Sequence, residues 1–282
     1  MITQKQTDPM CESDAYVCKG VIQKFDRRVV VELTLRCAKY CPFCYRKWKV
    51  GRKSLVLSRK DISNICVFLK NNNKINEVII SGGDPFTEAD KLVYFMRMLG
   101  RMKNIETVRI HTRLPIVKPK MVSEKIIEQI RKSKKPVYIS LHVNTVDELS
   151  KKVVKVIEKM RQAGAILYSQ SVFLKNINDK AEILINLFNK LLIIGVRPYN
   201  IYHCNNVMGI EQYIVPLEKE IEIMTKVRSK ISGLACPTLI IDAPESAHKI
   251  PVPLLNWRCD ISRFSDYFGK NHSLQEIDRI LQ

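Results

Sequence analysis

Three cysteines lie within eight residues in the stretch CAKYCPFCYR, at Cys37, Cys41 and Cys44. Thiolates grouped this closely bind zinc or an iron–sulfur cluster. A structural zinc site takes four nitrogen or sulfur ligands, and this segment offers only three. An iron–sulfur cluster held by three protein thiolates instead leaves one iron open to a small molecule. The segment therefore favours a cluster with one open iron over a structural zinc site.

A pair of glycines follows a later apolar run, in the stretch SGGDP, which spans residues 81–85. Two adjacent glycines at the end of a strand allow the backbone to approach a ligand closely, and free carbonyl groups there accept hydrogen bonds from an ammonium group. A Gly-Gly turn alone is weak support for a site. Its place one strand after the three cysteines makes it a candidate for the same site.

The elements that must position these loops are visible as six apolar, β-branched runs, each followed by a stretch with helical spacing. The runs occupy residues 28–35, 76–80, 106–111, 136–142, 165–173 and 197–203. This alternation predicts parallel strands joined by right-handed crossovers. An open doubly wound sheet and a partial TIM-type barrel both satisfy it, and both place chemistry at the carboxyl ends of the strands.

Local signals predict where several helices begin and end. Ser58 followed by Asp61 is typical of a capping box, and Ser123 is typical of an N-cap residue. Gly195 is typical of the position just after a helix. The residues predicted to share the buried face of the helix after Ser58 are Ile62, Ile65, Cys66 and Leu69. A seventh apolar run, at residues 234–241, follows a predicted helix at about 216–231.

Polar residues recur where the predicted strands end. Of the five histidines, His111, His142 and His203 end the third, fourth and sixth strands of the pattern. A single histidine is more often a core residue than a functional one, but three at equivalent strand ends favour a shared site.

Composition excludes several classes of protein. No run approaches the roughly 18 consecutive apolar residues of a membrane span, and the polar N-terminal residues lack a signal-peptide core. We therefore expect a cytoplasmic protein with reduced cysteines. The net charge is +19, but Lys and Arg are spread along the chain without a basic stripe interleaved with aromatics. A solvated basic surface is favoured, and nucleic acid is not expected as a partner.

The spacing C-x3-C-x2-C resembles the signature of the radical S-adenosylmethionine (SAM) enzymes, and SGGDP resembles their glycine motif. The resemblance implies a [4Fe–4S] cluster whose open iron binds the amino and carboxylate groups of SAM. Reductive cleavage of SAM then yields a 5′-deoxyadenosyl radical. It also implies an external electron donor of the flavodoxin or ferredoxin type.

A closer resemblance covers residues from about 20 to 255. The chain is similar to the lysine 2,3-aminomutase family, radical SAM enzymes that also carry pyridoxal 5′-phosphate (PLP). The stretches that carry the resemblance, in the family's order, are FDRRVVVELTLRCAKYCPFCYRK, VIISGGDPF, HTRLPIVKP, LHVNTVDEL, QSVFLKNIND, VRPYNIYHC, PTLIIDAP and HKIPV.

The resemblance assigns site residues position by position. The predicted cluster ligands are Cys37, Cys41 and Cys44. The predicted SAM contacts are Gly82, Gly83, Asp84, His142 and Gln170. Lys249 matches the lysine that binds PLP covalently, and Arg28 matches an arginine for the PLP phosphate. Arg46 matches the arginine for the α-carboxylate of the substrate, a role that suits a bidentate guanidinium.

Two departures from the family pattern concern PLP and the substrate. The family's glycine run before the PLP lysine is replaced by Glu245-Ser246-Ala247-His248, which restricts the backbone near the cofactor. The lysine-specific enzymes hold the distal ammonium of the substrate with two aspartates. Asp242 keeps one of them, whereas Asn205 stands at the other position. Losing a carboxylate reduces selectivity for ammonium, so a substrate other than lysine is predicted.

Taken together, the sequence predicts a partial (β/α)6 TIM-type barrel of the radical SAM kind. The predicted parts are an N-terminal extension (1–27), the barrel (28–213) and a C-terminal segment carrying the PLP-lysine loop (214–282). The predicted function is a 2,3-aminomutase that converts an L-α-amino acid other than lysine, a small-molecule substrate, to its β-isomer. Two alternatives stay open at this point, a radical SAM modifier of a protein or RNA and a zinc- or cluster-stabilised binding protein. The sequence pattern does not predict an oligomeric state.

Overall fold

The strands form at the apolar runs and pair edge to edge in the order of the chain. The computed structural model describes residues 8–51, 55–242, 249–255, 263–265 and 271–273. In this part of the chain, ten strands form one sheet in the order β1 to β10. They are β1 Tyr16–Cys18, β2 Val21–Phe25, β3 Arg28–Thr34, β4 Glu77–Gly82, β5 Thr107–Thr112, β6 Val137–His142, β7 Ile166–Val172, β8 Arg197–Tyr202, β9 Thr238–Asp242 and β10 Lys249–Pro251.

Strands β3 to β9 are parallel neighbours, with Val30 beside Ile79 in the β3–β4 pair and Ile201 beside Leu239 in the β8–β9 pair. Because the strand order never reverses, right-handed crossovers place every connecting helix on the same face of the sheet. A doubly wound sheet requires a reversal of strand order and is excluded. The partial TIM-type barrel is confirmed.

The sheet is wider than predicted at both edges. The apolar run after the sixth predicted unit forms β9, which pairs in parallel with β8 and antiparallel with β10. At the other edge, the antiparallel hairpin β1–β2 pairs with β3. The divisions predicted after residues 27 and 213 therefore fall within one continuous sheet, because both flanking segments add strands to it.

Helices connect the parallel strands and cover the outer face of the sheet. They are α1 Arg59–Asn71, α2 Ala89–Gly100, α3 Leu114–Val117, α4 Glu124–Arg131, α5 Lys151–Gln162, α6 Ala181–Ile193 and α7 Leu217–Lys230. None of the helices in the described residues is long and apolar enough to cross a membrane. A separate two-stranded sheet consists of β11 Arg263–Ser265 and β12 Asn271–Ser273.

The predicted helix signals are confirmed. Ser58 and Asp61 form a capping box at α1, in which Ser58 Oγ accepts from Asp61 N at 3.1 Å. Ser123 caps α4, and Gly195 follows α6 with a φ of 79°. The buried face of α1 consists of the four predicted residues, Ile62, Ile65, Cys66 and Leu69.

The two faces of the curved sheet differ in chemistry. Val31, Ile80 and Ile139 are fully buried in the apolar layer between the strands and the helices. Because successive side chains in a strand point to opposite faces, the alternate positions line the inside of the partial barrel. Those inner positions include Glu32, Ser81, His111, Ser140, His142 and Gln170. The inside is therefore polar and suited to a site rather than to a core.

Candidate active site

The cysteine loop leaves the carboxyl end of β3. Short turns shape it, with Cys44 N donating to Cys41 O at 3.2 Å and Lys47 N to Cys44 O at 3.0 Å. Its three thiols are free and only partly buried. Burial raises the pKa of Cys37 to about 12, and Asp84, Cys44 and Cys41 act in the same direction. The three sulfurs therefore lie close enough to influence one another's charge.

The arrangement of these thiols fits a four-iron cluster. No group of three or more His, Cys, Asp or Glu side chains in the described residues surrounds a point where a single metal ion would sit. A [4Fe–4S] cluster does not need such a point, because each cysteine binds a different iron. Phe43, only 9% exposed, packs in a small apolar cluster that includes Cys41 and covers this loop.

The two glycines at the end of β4 are required by the protein's own backbone. Gly83 N donates to Thr34 O at 2.6 Å, so the glycine loop lies directly against the start of the cysteine loop. A Cβ atom on Gly83 would lie 2.3 Å from Arg36 O. A Cβ on Gly82, whose φ is +115°, would lie 2.2 Å from Thr34 O. Only glycine fits at either position.

Asp84 connects the ends of β4 and β5. Its Oδ1 accepts from Thr112 Oγ1 at 2.6 Å and from Phe86 N at 3.1 Å. Its Oδ2 accepts from the backbone nitrogens of Arg113 and Leu114 at 2.8 and 2.7 Å. Both carboxylate oxygens are thus used in bonds within the protein, and the assignment of Asp84 to SAM stays a prediction.

His142 and Gln170, the other predicted SAM contacts, are neighbours in register on β6 and β7. The His142 ring centroid lies 5.8 Å from that of Phe43 in the cysteine loop. Burial, helped by the charge of Arg113, lowers the pKa of His142 to about 3. Its Nε2 is buried without a hydrogen-bond partner among the described residues. A neutral imidazole with an unpaired nitrogen fits a polar ligand at this end of the barrel.

Lys249, Asp242 and Asn205 come together at the ends of β8, β9 and β10. Lys249 Nζ lies 3.0 Å from Asp242 Oδ1 and 4.2 Å from the centroid of the Tyr202 ring. Asn205 Nδ2 donates to Asp242 Oδ2 at 3.1 Å. Burial acts to lower the pKa of Lys249, but Tyr202 and Asp242 outweigh it and raise that pKa. The altered loop that precedes Lys249, residues 243–248, lies outside the described residues.

Arg28 is placed away from this group. It begins β3, pairs in register with Glu77, and holds its guanidinium 3.8 Å from the centroid of the Phe25 ring. This position is at the amino end of the strand, whereas the cysteine loop leaves the carboxyl end. The structure shows no contact between Arg28 and Lys249 within the described residues, and the assignment of Arg28 to a phosphate stays a prediction.

Arg46 is buried at the inner edge of the cysteine loop and binds a carboxylate of its own chain. Its Nη2 lies 2.5 Å from Glu12 Oε1, and its Nε lies 3.0 Å from Glu12 Oε2. Its Nη1 donates to Ser81 Oγ at 3.1 Å and to Gly82 O at 3.0 Å. The guanidinium therefore already forms the bidentate pair that was predicted for the substrate.

The pair belongs to a buried ionic network that sequence reasoning missed. Lys49 Nζ lies 2.7 Å from Glu12 Oε2 and 2.7 Å from Glu32 Oε1, and Tyr16 donates to Glu32. Burial would raise the pKa of Glu12, but Arg46 and Lys49 outweigh it and lower that pKa to about 2. One signal was present in the sequence, because a charged Glu32 inside an apolar strand requires a buried partner.

His111 is influenced by charges from two parts of the site, the cysteine loop and the group around Lys249. Burial, with the positive charges of Arg109, Arg46 and Lys249, lowers the pKa of His111 to about 3. Charges from the cysteine-loop side and from the Lys249 side thus act on one imidazole inside the barrel. Arg46 and Lys249 are therefore both near enough to His111 to act on its charge.

The family profile of the Radical SAM superfamily matches residues 31–188. An L-lysine 2,3-aminomutase of Methanococcus maripaludis is 32% identical over 266 residues, which are 93% of this chain and 61% of that protein. An L-lysine 2,3-aminomutase of Buchnera aphidicola is 31% identical and covers 88% of this chain and 73% of that protein. A glutamate 2,3-aminomutase of Clostridioides difficile is 30% identical, over 88% of this chain and 59% of that protein.

The chain spans about 60% of the length of the first curated relatives it matches. Among solved structures, a radical SAM methyltransferase from Sphaerobacter thermophilus superposes with a TM-score of 0.58 at 14% identity, over 79% of this chain and 68% of that one. At this identity the likeness shows the fold alone. The sequence matches show the family as well as the fold, and they agree with the cysteine and glycine loops at the strand ends. The chain belongs to the radical SAM superfamily and, within it, to the lysine 2,3-aminomutase family.

Proposed function

We propose that this protein is a radical SAM aminomutase that moves the α-amino group of an L-α-amino acid to the β-carbon. The observation that carries the proposal is the pairing of Lys249 with Asp242 at the ends of β9 and β10, in a chain whose cysteine loop also holds the guanidinium of Arg46. An amine for PLP and a guanidinium for a carboxylate are the two groups needed to hold an α-amino acid. The names of the lysine and glutamate aminomutase relatives support the same reaction.

When bound, the cluster with SAM supplies a carbon radical and PLP holds the migrating nitrogen. Asp242 Oδ1, 3.0 Å from Lys249 Nζ, orients the amine that would bind PLP. Tyr202 and Asp242 raise the pKa of that amine, so they favour its charged form before the cofactor binds. Asn205, bonded to the other oxygen of Asp242, keeps that carboxylate oriented.

The same contacts support a substrate without a distal ammonium group. Asn205 donates its amide to Asp242 and offers a substrate no charge, so a single carboxylate remains here for a distal ammonium group. We therefore propose an amino acid with a neutral or differently shaped side-chain end.

Arg46 takes the α-carboxylate of the substrate only when Glu12 gives up its place. The two carboxylates compete for one guanidinium fork, because both require the Nε and Nη2 donors. We propose that the substrate replaces Glu12 at Arg46 and that Lys49 then retains Glu12 through its own 2.7 Å contact. Glu12 in this view guards the carboxylate site when no substrate is present.

The experiment that tests the function is an anaerobic screen of the common amino acids with reconstituted protein, SAM, PLP and dithionite. We expect one amino acid to be converted to its β-isomer, detected by mass spectrometry, without stoichiometric loss of SAM. Cleavage of SAM with every free amino acid unchanged would contradict the proposal and favour a macromolecular substrate.

Trapping of PLP tests the role of Lys249 separately. After borohydride reduction, the peptide containing Lys249 should carry the mass of a reduced PLP adduct, and Lys249→Ala should abolish it. Lys219→Ala, which alters an exposed lysine on α7, should leave the adduct in place. An adduct that persists in Lys249→Ala shows that another amine holds the cofactor.

A further inference from the structure

Arg113 joins the cysteine loop to the loop after β6, although neither the cysteine spacing nor the glycine motif points to it. Its Nη1 donates to Cys41 Sγ at 2.6 Å, and its Nη2 lies 2.5 Å from Glu148 Oε1. The guanidinium carbon lies 5.2 Å from the centroid of the Phe43 ring. The side chain is 15% exposed, so these contacts are made in a largely dry environment.

Glu148 is itself fixed in place. Its Oε2 accepts from the backbone nitrogens of Asn144 and Thr145 at 2.6 and 3.2 Å, in the capping box of a short helical turn. Burial would raise the pKa of Glu148, but Arg113 and these backbone groups lower it, so the carboxylate stays charged. Arg113 is thus oriented by an anchored anion and cannot swing freely away from Cys41.

The contact is directed at a predicted cluster ligand and at no other cysteine of the loop. Asp84 holds the backbone nitrogen of Arg113 at 2.8 Å, so the arginine is fixed at both its backbone and its guanidinium. A positive charge and an N–H donor placed on a thiolate sulfur withdraw electron density from it. Hydrogen bonds to cluster sulfurs and net charge are main determinants of cluster reduction potential.

We propose that Arg113, held by Glu148, is a positioning residue that orients the Cys41 sulfur toward iron and makes the bound cluster easier to reduce. The redox step concerned is transfer of one electron from an external donor to the [4Fe–4S]2+ cluster, which gives the [4Fe–4S]1+ state. A cation at Cys41 Sγ stabilises the added negative charge and shifts the reduction potential upward. The inference rests on membership of the radical SAM superfamily and does not depend on the aminomutase reaction.

The test is a redox titration of the anaerobically reconstituted full chain, followed by the electron paramagnetic resonance signal of the reduced cluster. We expect Arg113→Gln to shift the midpoint potential to a more negative value and Arg113→Lys, which keeps the charge, to shift it less. Glu148→Gln should broaden the signal, because Arg113 then loses its fixed orientation. Arg97→Gln is the matched control, because Arg97 donates to Gln129 on the outer helices and should leave the potential unchanged.

Iron content, circular dichroism and SAM affinity, measured on each variant, decide the remaining outcomes. An unchanged potential in Arg113→Gln with a full complement of iron overturns the proposal, as does a loss of SAM affinity at unchanged potential, which assigns Arg113 to SAM instead. A folded Arg113→Gln that holds no cluster, while Arg113→Lys holds one, supports the positioning role. Unfolding of both variants overturns the proposal, because Arg113 then serves the fold.

Discussion

At the scale of a single residue, Glu12 supplies the carboxylate that binds the guanidinium of Arg46. A carboxylate lies in the fork of the guanidinium at 2.5 and 3.0 Å, with Lys49 on its far side. Two buried cations, Arg46 and Lys49, are thereby balanced by Glu12 and Glu32. The buried cations therefore require a negative charge between them, which Glu12 supplies in this structure.

We expect Glu12→Gln to reduce the free energy of unfolding at neutral pH by about 3 kcal/mol, because it leaves buried cations short of one partner. The pKa of Glu12 is about 2 in the fold against an ordinary 4.5. Its contribution is thus fully present above pH 4.5 and is lost as the pH falls toward 2. Urea unfolding of both proteins across this range should show their difference shrinking as the pH falls.

Glu158→Gln, which alters an exposed carboxylate on α5, is the matched control for this measurement. It should change the free energy of unfolding by less than about 0.5 kcal/mol at every pH. A difference between wild type and Glu12→Gln that stays constant from pH 4.5 to pH 2 would show that Glu12 is not held ionised by Arg46 and Lys49.

At the scale of elements, the glycine loop and the cysteine loop form one unit. Gly83 N and Asp84 N donate to Thr34 O and Arg36 O, two of the three backbone carbonyls that immediately precede Cys37. The place where the cysteines begin is consequently set by the end of the neighbouring strand. A change in the glycine loop should therefore disturb the cluster loop, although it touches no cysteine.

Gly83→Ala should lower the free energy of unfolding by about 3 kcal/mol or more and reduce the iron bound after reconstitution, since the added Cβ would lie 2.3 Å from Arg36 O. Gly100→Ala is the control, because no atom lies within 4 Å of the added Cβ at the end of α2. That change should stabilise the protein by about 0.5 kcal/mol. Equal behaviour of the two variants in urea unfolding and iron analysis would refute the close contact.

Local pattern predicted these elements well because their signals are short-range. The buried face around Cys66 and the end of α6 at Gly195 follow from residues a few positions apart. The hairpin β1–β2 and the pairing of Glu12 with Arg46, 34 residues apart, depend on contacts between distant segments. No periodicity encodes such contacts, so the sequence predicted that the cysteine and glycine loops follow neighbouring strands but not that Glu12 pairs with Arg46.

At the scale of the whole molecule, the net charge of +19 creates a positive electrostatic potential that attracts acidic partners. Opposite net charges steer proteins together over distances of about 10 Å at 0.1 M salt. We therefore propose that the positive charge aids association with an acidic electron donor.

The rate of cluster reduction by a flavodoxin or ferredoxin should therefore fall about tenfold or more as the ionic strength rises from about 0.01 to 1 M. Stopped-flow absorbance of the reconstituted cluster measures this rate. Reduction by a neutral photoreduced deazaflavin should change little over the same range, because no steering is involved. A salt-independent rate with the protein donor would mean that the basic surface does not take part in electron delivery.

The bonds made by Asp84 and Gly83 hold the frame around the cysteine loop without using the cluster ligands. They join β3, β4 and β5 through backbone groups and one carboxylate, and none of them uses a cysteine sulfur. We therefore expect these three strands to stay joined when the cluster is lost, so that the frame around the cysteine loop remains available for a new cluster.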